Sequence, residues 1–96
     1  MTSVIRTPAA LRDVPRLHVF LASKNREAAR RAIRAIRHGV KALRTHPEIG
    51  LPVDEMPPEF REQFVRFGGS GYVVLYRYDG SQVAILAVRH GREAGY

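Results

Sequence analysis

The sequence has no cysteine. That excludes a disulfide scaffold and any thiolate metal site, and it suits a reducing compartment. Long apolar runs are missing too. The opening Met-Thr-Ser-Val-Ile-Arg-Thr-Pro offers no stretch fit for a signal peptide, and nothing later is long enough to span a bilayer. The expectation is a soluble cytoplasmic protein. Lysine is scarce: of 16 Lys and Arg residues only Lys24 and Lys41 are lysine, and nine Asp and Glu leave a net charge of +7. Arginine's planar fork suits bidentate contact with phosphate and carboxylate. The balance implies an acidic partner, either nucleic acid or an acidic protein segment. Repeats and low-complexity segments are absent. His18, His38 and His46 show no metal-ligand spacing with acidic residues. The cluster Gly68-Gly69-Ser70-Gly71 is followed by neither Lys-Ser/Thr nor a helix, so it is a turn and not a phosphate loop. No metal and no cofactor is expected.

What is present fits one domain over residues 1–96. Residues 3–7 form a β-type run. Thr7-Pro8 reads as a cap and first helical residue, and Leu11, Val14, Leu17, Phe20 and Leu21 follow at helical spacing. Pro15 interrupts this pattern, which predicts either a late start at Asp13 or a kink near Pro15. Asn25 caps a second helix with Ala29, Ala32, Ile33, Ile36, Val40 and Leu43 on its apolar face. Arg30, Arg34, Arg37, Lys41 and Arg44 form a flanking basic stripe, either a solvated face or a binding surface. Prolines at 47, 52, 57 and 58 exclude a helix or a central strand from residues 47–59. Phe60–Phe67, residues 72–78 and Gln82–His90 are three β-rich runs, the last two joined by Asp79-Gly80. The order β-α-α-β-β-β predicts an α+β fold, an antiparallel C-terminal meander packed against an αα-hairpin.

A two-residue turn at Asp79-Gly80 sets Tyr78 opposite Ser81 and Val73 opposite Leu86. A regular glycine turn sets Phe67 opposite Tyr72 and Arg66 opposite Val73. Alternation then places Phe60, Phe64, Arg66, Val73, Leu75, Arg77, Leu86, Val88 and His90 on one face. Val65, Phe67, Tyr72, Val74, Tyr76, Tyr78, Val83, Ile85 and Arg89 take the other. The helical hairpin covers only one face. The other is left for a partner, with Arg66 and His90 at the same end, and a slip of one residue exchanges the two sets.

Residues 71–80, Gly-Tyr-Val-Val-Leu-Tyr-Arg-Tyr-Asp-Gly, and 83–92, Val-Ala-Ile-Leu-Ala-Val-Arg-His-Gly-Arg, resemble the C-terminal half of the RelE/ParE toxin superfamily. Ala10-Leu11-Arg12-Asp13-Val14 and His46-Pro47-Glu48-Ile49-Gly50 fit as well, so the resemblance covers nearly the whole chain. It implies an inhibitory toxin neutralised by a co-expressed antitoxin, whose C-terminal segment wraps the toxin as a helix and an added strand. An acidic antitoxin would meet Arg30, Arg34, Arg37 and the apolar sheet residues Phe64, Val73 and Leu75, in a toxin–antitoxin hetero-oligomer.

The superfamily divides by target. RelE-type members cleave messenger RNA on the ribosome with sheet Lys/Arg residues and a C-terminal Tyr or His. ParE-type members inhibit DNA gyrase without the full set. Arg66 matches one basic position, and Arg92 and Tyr96 match the C-terminal arginine and tyrosine given a small gap. Phe64 and Val73 stand where RelE-type toxins have cations, and neither can serve over a phosphate. The resemblance therefore favours a gyrase inhibitor that touches its target through Arg66, Arg77, Arg89, His90 and Arg92. The alternative is an endonuclease with Arg66, His90, Arg92 and Tyr96 as its site. A third reading is a non-toxic member kept to bind antitoxin. On the residues alone, the three sheet arginines serve either as a phosphate clamp or in local ion pairs, and His90 serves either in catalysis or in a structural hydrogen bond.

Overall fold

Thr7 starts the first helix. Its side chain accepts a hydrogen bond from Ala10 N–H, and Pro8 sits at the first helical position, where its missing N–H costs nothing. In the computed structural model, which describes residues 2–67 and 70–91, helix α1 runs Pro8–Ala22. Of the two alternatives the sequence offers, a late start at Asp13 or a kink near Pro15, the late start is not found. Asp13 lies inside the helix, and Pro15 is absorbed because both it and Leu11, whose carbonyl loses the bond, are exposed to water. Helix α2, Arg26–Ala42, begins at Asn25, whose side chain accepts from Ala28 N–H at 3.0 Å. It buries Ala29, Ala32, Ile33, Ile36 and Val40, the apolar face read from the sequence.

Five strands form one sheet in the order β1-β5-β4-β3-β2: β1 Ser3–Arg6, β2 Leu51–Pro52, β3 Phe60–Phe67, β4 Ser70–Tyr78 and β5 Gln82–His90. β1 pairs parallel with β5, and the other pairs are antiparallel. The fold is α+β, with the helical hairpin over one face. β2 is an added element. Its Pro52 is tolerated because the strand lies at the sheet's edge. Tyr72, Val74, Tyr76, Val83, Ile85 and Val88 of the sheet meet Ala10, Leu17, Ile33, Ile36, Val40 and Leu43 in the core.

Tyr76 also anchors the proline-rich tract. Its hydroxyl accepts from Gly50 N–H at 2.9 Å and donates to the Pro47 carbonyl at 2.8 Å. Burial pushes the phenol above its ordinary pKa, with the Gly50 hydrogen bond opposing that rise, so the hydroxyl keeps its proton at neutral pH. Tyr76→Phe leaves the buried Gly50 N–H without an acceptor and should cost about 1–3 kcal/mol in urea denaturation.

The strands are paired differently from the sequence expectation. Val65, not Phe67, faces Tyr72, and Phe67 faces Ser70. This two-residue displacement leaves every β3 side chain on its expected face. At the other hairpin Tyr78 faces Val83, so four residues, 79–82, separate the paired positions instead of two. The Asp79 carboxylate organises this loop by accepting from Ser81 N–H at 2.9 Å, Ser81 Oγ at 3.1 Å and Gln82 N–H at 2.8 Å. These bonds hold its pKa below the ordinary carboxylate value.

Within β5 comes a single-residue change. Tyr76 pairs with Ile85 but Leu75 pairs with Ala87, so Leu86 bulges out of the ladder. The bulge reverses the faces of the residues after it. Val88 and His90, expected on the open face, lie on the helix side: Val88 is buried in the core, and the His90 ring stands edge-on to Tyr72 at 5.4 Å. Arg89, expected on the helix side, pairs with Val73 on the open face. Arg66 and His90 therefore do not share a face.

Candidate functional site

Helix α2 is bordered by hollows on both sides. On the α1 side, a hollow of about 200 Å³ is floored by Ala10, Val14, Ile36 and Val40 and rimmed by Leu11, Arg6 and Arg37. It continues one way into a hollow with His18, Arg30, Ile33, Arg34 and Arg37, and the other way into one with Val4, Arg6, Arg37, Lys41 and Arg44. Arg37 borders all three. The arginines sit where the 3.6-residue period places them, beside the buried stripe and not opposite it. The result is an apolar trough with a cationic rim. It suits an amphipathic helix with acids flanking its apolar anchors.

On the β3 side, α2 approaches the sheet closely because residue 39 is glycine. A Cβ there would stand 2.7 Å from Val65 Cγ2. Next to this contact lies a groove of about 520 Å³ whose lining includes Arg31, Arg34, His38, Gln63, Phe64 and Arg66. One wall of it is a strand edge. β2 covers only Arg61 and Glu62, leaving residues 63–67 without a strand neighbour on that side among the described residues. Tyr78 N–H donates to the Glu59 carbonyl at 2.8 Å, which makes Phe60 and Arg77 a non-hydrogen-bonded pair. By alternation, Phe64 and Arg66 also turn their backbone N–H and C=O away from β4, toward the open edge. The carboxamide oxygen of Gln63 is buried without a hydrogen-bond partner among the described residues. An extended segment laid here would find both a ladder and cations. The sequence marks this edge only indirectly, through prolines that keep the preceding tract from pairing along all of β3.

The open sheet face holds the remaining candidates. Phe64 and Val73 face each other on it. The Phe64 ring covers the glycine at 71, where a Cβ would lie 2.5 Å from Phe64 Cζ, yet the residue stays 56 % exposed. Leu75 is largely covered, at 8 %. Arg66 and Arg77 are both exposed. Arg66 faces Gly71, six positions along β4 from Arg77, a separation of about 20 Å. One phosphate cannot bridge them. Arg89 is engaged elsewhere: its Nη1 donates to Asp13 Oδ1 at 2.9 Å. His90 faces the core, and Arg92 and Tyr96 lie outside the described residues. The described members of the expected target set are thus spread over the sheet and do not converge on one point. No group of His, Asp and Glu with metal-binding geometry occurs among the described residues, and no helix among them is long and apolar enough to cross a membrane.

Comparison with known proteins gives this arrangement a lineage. Residues 4–95 match the family described as the ParE toxin of type II toxin–antitoxin systems, parDE. Toxin RelE3 of Caulobacter vibrioides is 36% identical over 97% of this chain and 98% of its own length. Toxin RelE1 of the same organism is 34% identical over 95% of each. Among solved structures, a chain of the chromosomal ParDE system of P. aeruginosa superposes with a TM-score of 0.73 at 21% identity, covering 94% of this chain and 96% of its own. A chain of the RelBE2 toxin–antitoxin complex of Mycobacterium tuberculosis does so with 0.67 at 26% identity, covering 93% and 96%. Their helical hairpin over an antiparallel sheet is the architecture described above. The chain belongs to the ParE toxin family of type II toxin–antitoxin systems, within the RelE/ParE superfamily.

Proposed function

We propose that this toxin inhibits DNA gyrase by binding it, and that a cognate acidic antitoxin holds it inactive in a hetero-oligomer. The observation that carries the reading is the make-up of the open sheet face. Cleavage of RNA needs a base, an acid and cations gathered over one phosphate. Here Phe64 and Val73 occupy the middle of that face, Arg66 and Arg77 are too far apart to act together, and His90 is turned to the core. A binder has no need of convergence. Arg66, Arg77 and exposed Phe64 offer separated contacts suited to a large partner surface. Arg30, Arg34 and Arg37 rim the trough for an antitoxin helix, and the free edge of β3 accepts an antitoxin strand. The structural neighbours come from toxin–antitoxin systems, which supports such a partner.

Supercoiling by purified gyrase with ATP tests this reading. Increasing toxin should inhibit supercoiling or trap cleaved DNA, and antitoxin should reverse the effect. A folded, antitoxin-binding, growth-arresting protein with no effect on gyrase would sink it.

A ribosome-dependent mRNA endonuclease is the second reading, favoured by the RelE names of the two Caulobacter relatives and by Arg66. His90→Ala separates the two. An endonuclease that uses His90 loses toxicity with antitoxin binding intact. The gyrase inhibitor keeps its toxicity, and loss of the edge-on contact with Tyr72 costs it about 0.5–1.5 kcal/mol of stability by thermal denaturation.

A further inference from the structure

Helix α1 carries an acid on its buried side. Asp13 is three residues after Ala10 and four before Leu17, both core residues, and is itself 7% exposed. Its two oxygens take different donors. Oδ2 accepts from Val88 N–H at 2.9 Å, and Oδ1 accepts from Arg89 Nη1 at 2.9 Å, with Arg16 Nε at 3.8 Å. Both of the close partners follow the bulge at Leu86.

The topology explains why an acceptor belongs there. β1 accompanies β5 only as far as Arg6, which pairs with Ile85. Past that point the outer edge of β5 has no strand neighbour among the described residues, and the Val88 N–H, turned outward, needs an acceptor. Asp13 supplies it. Arg89 leaves the strand on the open face opposite Val73, and its guanidinium reaches the carboxylate on the helix side. One carboxylate thus fixes both a backbone group and a side chain at the end of β5. It does so from the same helix that lends Leu11 and Val14 to the trough.

We propose that Asp13 is a positioning residue for the toxin's inhibitory action. It sets the end of β5, including the direction of Arg89, in the conformation that the target meets. The inference rests on the reading of this chain as an active toxin. Thr7 provides a matched structural control. It binds the same strand edge, Oγ1 to the Ile85 carbonyl at 2.8 Å, and also caps α1. It lies before the bulge and holds nothing at the strand's end.

The test compares wild type, Asp13→Ala, Asp13→Asn, Arg89→Gln and Thr7→Val, by amide hydrogen exchange on purified protein and by growth arrest on induction. Asp13→Ala should speed exchange at Val88 by about tenfold or more while residues 83–85 stay near wild type, the mark of local rather than global opening. Asp13→Asn keeps an acceptor for Val88 N–H but no charge for Arg89. It and Arg89→Gln should each reduce inhibitory potency about tenfold, and their combination should be no worse than either alone, as for residues acting as a unit. Thr7→Val should lower the melting temperature and keep potency. Unchanged exchange at Val88 in Asp13→Ala overturns the proposal, as does a loss of potency in Asp13→Asn no greater than in Thr7→Val. A wild type that does not arrest growth defeats the toxin reading by itself, and the exchange data still decide whether Asp13 holds the strand end.

Discussion

Reversing Arg34 and Arg37 together, to glutamate, should weaken capture by an acidic antitoxin about a thousandfold. Arg37 borders every hollow of the trough, and Arg34 borders both the trough and the groove beside β3. An antitoxin that wraps α2 must pass both. Setting a carboxylate against a partner carboxylate costs several kcal/mol. Taking about 2 kcal/mol at each position gives about 4 kcal/mol, or about three orders of magnitude in Kd. Both side chains are exposed, so the melting temperature should barely move, and titration calorimetry would read the affinity. Co-expression should no longer rescue growth. A Kd within about threefold of wild type would mean that the antitoxin's acids lie elsewhere.

The largest effect on the fold itself should come from Gly39→Leu. No Cβ fits at this position without displacing Val65, whose Cγ2 would be 2.7 Å away. Mid-helix glycine is itself unfavourable by about 1 kcal/mol relative to alanine, so the close seat of α2 on β3 must outweigh that cost. Leucine forces the helix off the sheet. Overpacking of this kind costs about 1–3 kcal/mol and sometimes more. For a domain of this size that lowers the melting temperature by roughly 5–20 °C. A melting temperature within about 2 °C of wild type would show that the helix–sheet spacing is soft.

Local chemistry made most of the fold legible. Thr7-Pro8 and Asn25 stop the chain where helices begin, because their side chains satisfy N–H groups that no helix satisfies for itself. The three C-terminal strands were legible from composition and turns. Their pairing was not. The Asp79 carboxylate takes three donors and enlarges the loop beyond the two residues that Asp-Gly suggests. The bulge at Leu86 carries no local signature, since Ile85, Leu86 and Ala87 are all apolar and any of them can bulge. It is settled by long-range contacts: the ring of His90 on Tyr72, and Asp13 on Val88. That single residue decides which face His90 occupies, so the part of the candidate site that depended on it was the part misplaced. The basic stripe of α2 depends only on helical periodicity and lies where the sequence put it. Asp13 did leave a mark, an acid in line with Ala10 and Leu17. Its donors lie about 75 residues downstream and have no trace nearby.

The parallel seam between the first and last strands has a consequence for synthesis. Ser3 lies against Gln82, and Arg6 against Ile85. Contacts between such distant parts of a chain form late, because the ends must first be brought together. A nascent chain on the ribosome can form its helical hairpin early, but it cannot close the sheet until the last strand has emerged. Until then the apolar sides of both helices lie exposed, in a state unable to present the finished sheet face. An antitoxin arriving in that interval would meet a half-built toxin, and the final folding step could take place already inside its embrace.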